Sequence, residues 1–467
     1  MKYQKSLSNL ALLIAIFLVT WIILSRPENS LSLLLIGSYS LLAYLRPLYA
    51  ISLLILIPVA GEFSRLEFFG RSIVLSDLAV PIFTLSTILP RLKQLQKPLQ
   101  SESQLKFICK VLSVFFLITV FSLFLSLTSI PYKEVFNGSQ YLFRLFFYLL
   151  LIPSVVLLQR EHPSISKNIT QIIIISGLLI ALSGFLQLIY FPSLESFESI
   201  GYDPHINRLF GTWLDPNYIG GLFALLTCFC LGLFLQIKKT SLRLLLLLCI
   251  SIFVTALFFT YSRSAYLALA IGILVIGILR ARTLLIITII LGLIGISASD
   301  RAQQRVGELI TSVNSIIFNT SENPDPTARL RIINWEQTIE LIKQKPFFGH
   351  GFNNLAYVRS QAGYIESENI HSASGSDSSI LTLLATTGVI GTAPFLLFLL
   401  YTIIQAKNHF NSKKHTIHSG LALGCLSGLL ALIAHSNFVN SLFFAPLMIF
   451  LWIIIGHFQA TVQNSSN

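Results

Sequence analysis

The sequence predicts an all-α fold: a polytopic transmembrane helix bundle of about 12–14 spans, with one long extracytoplasmic loop carrying an amphipathic helix. Three observations predict it. Of 467 residues only 11% are charged while 54% are hydrophobic, against roughly a quarter charged in soluble domains. The mean hydropathy is +0.75. Apolar runs approaching the roughly 20 residues that cross a bilayer recur along the chain. The same arithmetic excludes an ordinary soluble enzyme, a disordered chain and a collagen-like repeat. A disulfide scaffold is excluded too, because the five cysteines are scattered in or beside apolar runs.

Apolar runs between polar breaks fall near 8–24, 30–45, 47–60, 73–90, 107–128, 138–158, 169–191, 217–236, 243–262, 264–279, 283–299, 376–404, 418–437 and 441–459. Two of them, 30–45 and 47–60, are short for a span, so twelve spans with one re-entrant pair fit as well as fourteen. The chain divides into N-terminal transmembrane helices (1–168), a transmembrane core with arginine-bearing turns (169–299), the long loop (300–375) and C-terminal transmembrane helices (376–467). The basic start followed by an apolar run in the first 24 residues resembles a signal peptide. No small-residue cleavage site follows it, so it is read as a first transmembrane helix.

Charge sets the orientation. Assigning alternate gaps to the cytoplasm places 18 of the 32 Lys and Arg residues inside and six in the opposite short gaps. Seven more lie in the long loop, whose charge carries little weight in orientation. Both termini are therefore expected in the cytoplasm. The net charge of +12 is mostly this asymmetry, and nucleic acid is not an expected partner.

Three polar places then fall on the extracytoplasmic face. In RLFGTWLDPNYIGG (208–221), Asp215-Pro216 reads as an N-cap followed by proline at the first helical position, which puts a positive helix end beside Arg208. In FTYSRSAYLALAIG (259–272), Arg263 sits between two apolar runs with almost no loop, where it either snorkels or points into a cavity shared with Arg208. In the long loop, Ile332, Trp335, Ile339 and Ile342 form the apolar stripe of an amphipathic helix, with Arg329 and Arg331 in its first turn. Beyond it, His371 and Asp377 precede the next span, and either can take a proton from a hydroxyl held about 2.6–3.2 Å away. Asp377 can equally be no more than an N-cap. Arginine suits a diphosphate because its planar fork gives permanently charged, bidentate hydrogen bonds. ATP is absent outside the cell and no Walker or GxGxxG pattern occurs, so a lipid-linked substrate activated inside is the expected kind.

These places, in this order, resemble the O-antigen ligase and polymerase family of bacterial membrane proteins. The resemblance spans roughly 170–440 and rests on Arg208, Gly211 and Asp215–Asn217, on SRSAYL at Arg263, on Arg329, Trp335, Pro346 and Gly349–Gly351, and on LATTGVIG at 384–391. It implies transfer of a glycan from undecaprenyl diphosphate to a hydroxyl acceptor, itself a glycan or a lipid, at the extracytoplasmic face of the bacterial inner membrane. It further implies that Arg208, Arg263 and one of Arg329 or Arg331 clamp the diphosphate. The family usually carries a His where counting back from Gly388 gives Asp377, so the resemblance favours Asp377 as the base, with His371 the alternative. No cofactor or metal is expected, and the one close acidic pair of the loop, Glu366 and Glu368, reads as solvated charge. Besides the ligase reading stand a repeat-unit polymerase of the same family and a non-enzymatic lipid-linked glycan flippase or transporter. Transporters place polar groups near the midplane, and the chain offers one mid-span charge, Arg144.

Overall fold

The computed structural model describes residues 30–68, 71–91, 103–300, 303, 304, 306–308, 311, 326–365, 375–411 and 416–464. The candidate span at 8–24 lies outside these residues. The helices in chain order are α1 (Ser30–Leu45), α2 (Pro47–Leu56), α3 (Leu75–Ile88), α4 (Ser103–Ser126), α5 (Tyr132–Leu149), α6 (Leu151–Glu161), α7 (Ile165–Tyr190) and α8 (Pro216–Gln236). After them come α9 (Thr240–Phe259), α10 (Arg263–Leu279), α11 (Arg282–Ser297), α12 (Pro326–Gln344), α13 (Leu355–Gln361), α14 (Ser379–His409), α15 (Ile417–His435) and α16 (Ala445–Asn464). The one sheet among the described residues is a hairpin of β1 (Arg65–Phe68) and β2 (Arg71–Val74), with Arg65 opposite Val74.

This is the all-α polytopic bundle that the composition dictates, because a chain in hydrocarbon must satisfy its backbone polar groups internally. Among the described residues, eight helical segments are long and apolar enough to cross a membrane, and four shorter apolar helices accompany them. Helices α5 and α6 form one 30-residue segment. They part at Leu150 because Pro153 lacks an N–H and its ring crowds the carbonyl four residues back.

Burial identifies the core. The windows of α8 and α16 are 83% and 89% buried, whereas those of α7 and α9 are 33% buried, leaving the latter pair on the periphery. Helix α8 packs most extensively against α15, where Gly420, Gly424 and Gly428 repeat every fourth residue. A Cβ on Gly424 would lie 2.9 Å from the Phe229 carbonyl oxygen. Small residues at this spacing let two backbones approach closely in lipid, where packing rather than water drives association.

The long loop is anchored by a break in α14. At Gly388 the backbone leaves helical geometry (φ 65°, ψ −174°), which frees carbonyls before it and N–H groups after it. The turn Pro346–Gly351 takes up both sets. His350 N and Gly351 N donate to Ala385 O and Thr386 O at 2.9 Å, while Val389 N and Ile390 N donate to Pro346 O and Phe347 O at 2.8 and 3.2 Å. Ser122 of α4 adds its hydroxyl to Phe348 O at 2.6 Å and Thr386 O at 2.7 Å. Glycine is required on both sides, since a Cβ would fall 2.2 Å from Phe347 C at Gly388 and 2.4 Å from Thr386 C at Gly349.

The amphipathic helix forms as α12, but a different face packs. Asn334, Thr338 and Leu341 are buried, whereas Ile339 of the expected stripe is 41% exposed. The helix rests on α14 through its polar side as well as its apolar one, which hydrophobic periodicity alone does not register.

Gly388→Ala is expected to destabilise the protein by more than about 2 kcal/mol, combining a left-handed φ with a backbone clash. Thermal unfolding in detergent reads this as a lowered Tm, and an unchanged Tm would contradict the interlock.

Candidate active site

A cavity of about 1100 Å³ opens where α8, α10 and α14 begin and α15 ends, with further wall from α12 and α13. Arg208, Arg263, Arg331 and Asp377 all line it. Arg329 is exposed and does not line the cavity, so of the two arginines in the first turns of α12 it is Arg331 that faces it. His371, Glu366 and Glu368 lie outside the described residues.

Three chain turns bring the arginines together. Leu209 N donates to Phe259 O at 2.9 Å, tying the Arg208 segment to the turn between α9 and α10. Arg208 Nε then donates to Thr260 O at 2.8 Å, and its Nη2 lies 3.4 Å from Asn217 Oδ1. That oxygen also accepts from Ser262 Oγ at 2.9 Å, next to Arg263, the first residue of α10. Tyr261 makes the sharp turn with φ 48°. Arg263 Nη1 approaches Glu308 Oε2 at 3.5 Å.

Asp215 caps α8 as its sequence context suggests, its Oδ1 accepting from Asn217 N at 2.7 Å and Tyr218 N at 3.3 Å. The expected anion-favouring helix end is therefore occupied by the protein's own carboxylate. Asp377 does the opposite. The cap of α14 is Ser378, whose hydroxyl accepts from Leu381 N at 3.3 Å. Asp377 precedes it with φ 55°, a left-handed backbone unusual outside glycine, asparagine and aspartate. Its Oδ2 accepts from Asn334 Nδ2 of α12 at 2.9 Å.

Residues 375–379, at the start of α14, are held firmly. Ser376 N donates to Thr382 Oγ1 at 3.0 Å, and Ser379 N donates to Ser436 O at 2.7 Å. Arg359 of α13, only 6% exposed, donates from Nη1 to Gly375 O at 3.1 Å. Burial lowers its pKa and the nearby Asp377 carboxylate opposes that, so the guanidinium remains charged. Its Nε has no partner among the described residues. Arg359, Asn334 and Tyr218 all line the cavity and escape sequence reasoning. Arg359 is one more basic residue in a loop, and nothing local marks the Asn334 amide as the contact of Asp377.

The His350 of the GHG segment is buried, with Nε2 2.8 Å from Leu341 O, and it joins the end of α12 to the interlocking turn. Burial and Lys345 lower its pKa against that hydrogen bond, so it is a neutral structural imidazole. Among the described residues, no three His, Cys, Asp or Glu side chains gather as a metal site.

His205, on the cavity wall, is pushed down to about 4 by burial and by Arg208, with Asp203 opposing. It adds no charge beside the arginines at neutral pH. Its folded pKa lies below the unfolded value of about 6.5, so the unfolded chain binds the proton first. The stability it contributes is intact above about pH 6.5 and is lost as pH falls toward about 4. His205→Asn should flatten the acid side of a Tm-against-pH curve, and an unaltered slope would contradict this placement.

Against known proteins, residues 244–396 match the family model described as O-antigen ligase. No match was found among curated proteins. The matched segment runs from α9 through the interlock at Gly388 and contains Arg263, Arg331, Arg359 and Asp377. Together with the multi-pass bundle, the match shows that residues 244–396 of this membrane protein are similar to the O-antigen ligase family, which supports a part in surface-polysaccharide biosynthesis.

Proposed function

We propose that the protein transfers a glycan from undecaprenyl diphosphate to a hydroxyl acceptor at the extracytoplasmic face of the bacterial inner membrane, as an O-antigen ligase does. The observation that carries this reading is that one cavity collects Arg208, Arg263, Arg331 and Asp377 from four separate chain segments. Asp377 takes the proton from the acceptor hydroxyl and the freed oxygen attacks the anomeric carbon. The bond from that carbon to the diphosphate oxygen breaks, and its electron pair leaves on the diphosphate, whose growing charge the guanidinium groups stabilise. Fixed donors aimed at developing charge in a water-poor site are worth several kcal/mol, and alignment of two bound substrates contributes a comparable amount. The charge is supplied by arginine, so transfer is expected to persist in EDTA.

The one feature offered for a transporter, the mid-span Arg144, has a partner within the protein. Arg144 is ion-paired with Asp77 of α3, whose other oxygen accepts from Tyr148 Oη at 3.0 Å, so the mid-span charge is matched within the protein. Broken helices in transporters offer freed backbone groups to substrate, whereas those at Gly388 are taken by the Pro346–Gly351 turn. Ligase and polymerase differ only in the acceptor.

Purified protein in a bilayer, given an undecaprenyl-diphosphate-linked oligosaccharide and envelope lipids, is expected to make one addition to a separate acceptor. A ladder from donor alone would identify a polymerase instead. Arg208→Ala and Arg263→Ala should each slow transfer by about a hundredfold or more with the bundle intact. Wild-type rates in both variants would overturn the clamp.

A further inference from the structure

A second wall of the cavity differs in chemistry from the arginine-rich part. Glu62, Tyr141, Arg144 and Tyr202 face the cavity from the turn 61–64, from α5 and from the loop 201–208. Their charges are matched locally. Glu62 pairs with Arg65 at the start of β1, and Arg144 pairs with Asp77. Burial, and then the Glu62 carboxylate with which the phenol interacts, raise the Tyr202 pKa. The Tyr141 ring lies under Arg144, with Cζ 5.1 Å from its centroid, and remains 44% exposed.

This wall is fixed relative to the arginines. Gly61 has φ 52°, and a Cβ there would fall 2.2 Å from Thr212 O. Thr212 Oγ1 donates to Val59 O at 2.8 Å and Trp213 Nε1 donates to Pro58 O at 2.7 Å. The turn carrying Glu62 is thus locked to the turn that leads into Asp215 and Asn217, the latter in contact with Arg208.

Two phenol rings among paired charges suit an uncharged, hydroxylated ring. An aromatic face packs against the C–H face of a pyranose, while carboxylate, guanidinium and phenol groups exchange hydrogen bonds with its hydroxyls. A second phosphate or a uronic acid gains little from a wall whose cations are already paired. Resting on the transfer reading above, we propose that Tyr141, Tyr202 and Glu62 form the subsite for the diphosphate-proximal sugar of the donor, selecting a neutral pyranose.

The test compares binding of undecaprenyl diphosphate and of undecaprenyl-diphospho-N-acetylglucosamine to the full-length protein in lipid nanodiscs. Wild type should bind the sugar-bearing lipid about tenfold more tightly. Tyr141→Ala and Tyr202→Ala should each remove most of that preference while keeping the affinity for bare lipid diphosphate, which also reports folding. Tyr141→Phe should retain the preference, because the ring remains. No preference in wild type, an undiminished preference in both alanine variants, or equal loss of both ligands would each overturn the sugar subsite. Failure of the diphosphate reading shows separately, as Arg208→Ala binding bare lipid diphosphate as tightly as wild type.

Discussion

The backbone pairing between the Pro346–Gly351 turn and the broken turn of α14 is the contact on which the site depends. Each unpaired backbone group away from water costs several kcal/mol, so a break at Gly388 persists only because four hydrogen bonds replace the helical ones. Those bonds dock the described part of the long loop, residues 326–365, on the bundle. With α12 held there, Asn334 reaches Asp377, and Arg331 on the preceding turn reaches the cavity. The docked loop also carries α13, from which Arg359 holds Gly375. A segment that resembles a surface loop in composition is in this way part of the cavity wall.

Of the four carboxylates that line the cavity, Glu62, Asp203, Asp215 and Asp377, two have structural roles. Asp215 caps α8 and Glu62 holds Arg65, while Asp77, outside the cavity lining, pairs with Arg144. Asp377 differs in kind. Its neighbour Ser378 has taken the capping role, its backbone is left-handed, and its carboxylate meets the neutral amide of Asn334 beside the cavity. A proton acceptor needs this placement, a carboxylate at the cavity that is not used as a helix cap. In the proposed transfer, the arginines would supply the permanent charge that a departing diphosphate requires.

Much of the fold was legible because apolar run length and membrane thickness impose it: each candidate span within the described residues corresponds to a helix or to the joined pair α5 and α6. Local signals of the site were legible too. Asp215-Pro216 announces its cap, and Arg208 and Arg263 announce themselves as charges at span boundaries. What stayed hidden is pairing between distant segments. GHG and TTGVIG are visible as motifs, but nothing in either says that their glycines exist to let two backbones interlock. Asp77 and Arg144 are 67 residues apart, so the pair that explains a mid-span arginine cannot be read from either neighbourhood. The stripe on α12 misled for the same reason, since the buried Asn334 on another face pairs with Asp377, 43 residues away. The cap at Ser378 rather than Asp377 was a choice between adjacent residues that propensity does not resolve.

The central claim is that Asp377 accepts the proton of the acceptor hydroxyl, and exchanging its side chain tests it most directly. Single-turnover transfer should fall by about a hundredfold or more in Asp377→Asn, which keeps the size and loses the base. Asp377→His places an imidazole where the resembling family carries one, and it should recover a measurable part of the rate. Transfer at the wild-type rate in Asp377→Asn, with the lipid-linked donor bound normally, would contradict the account.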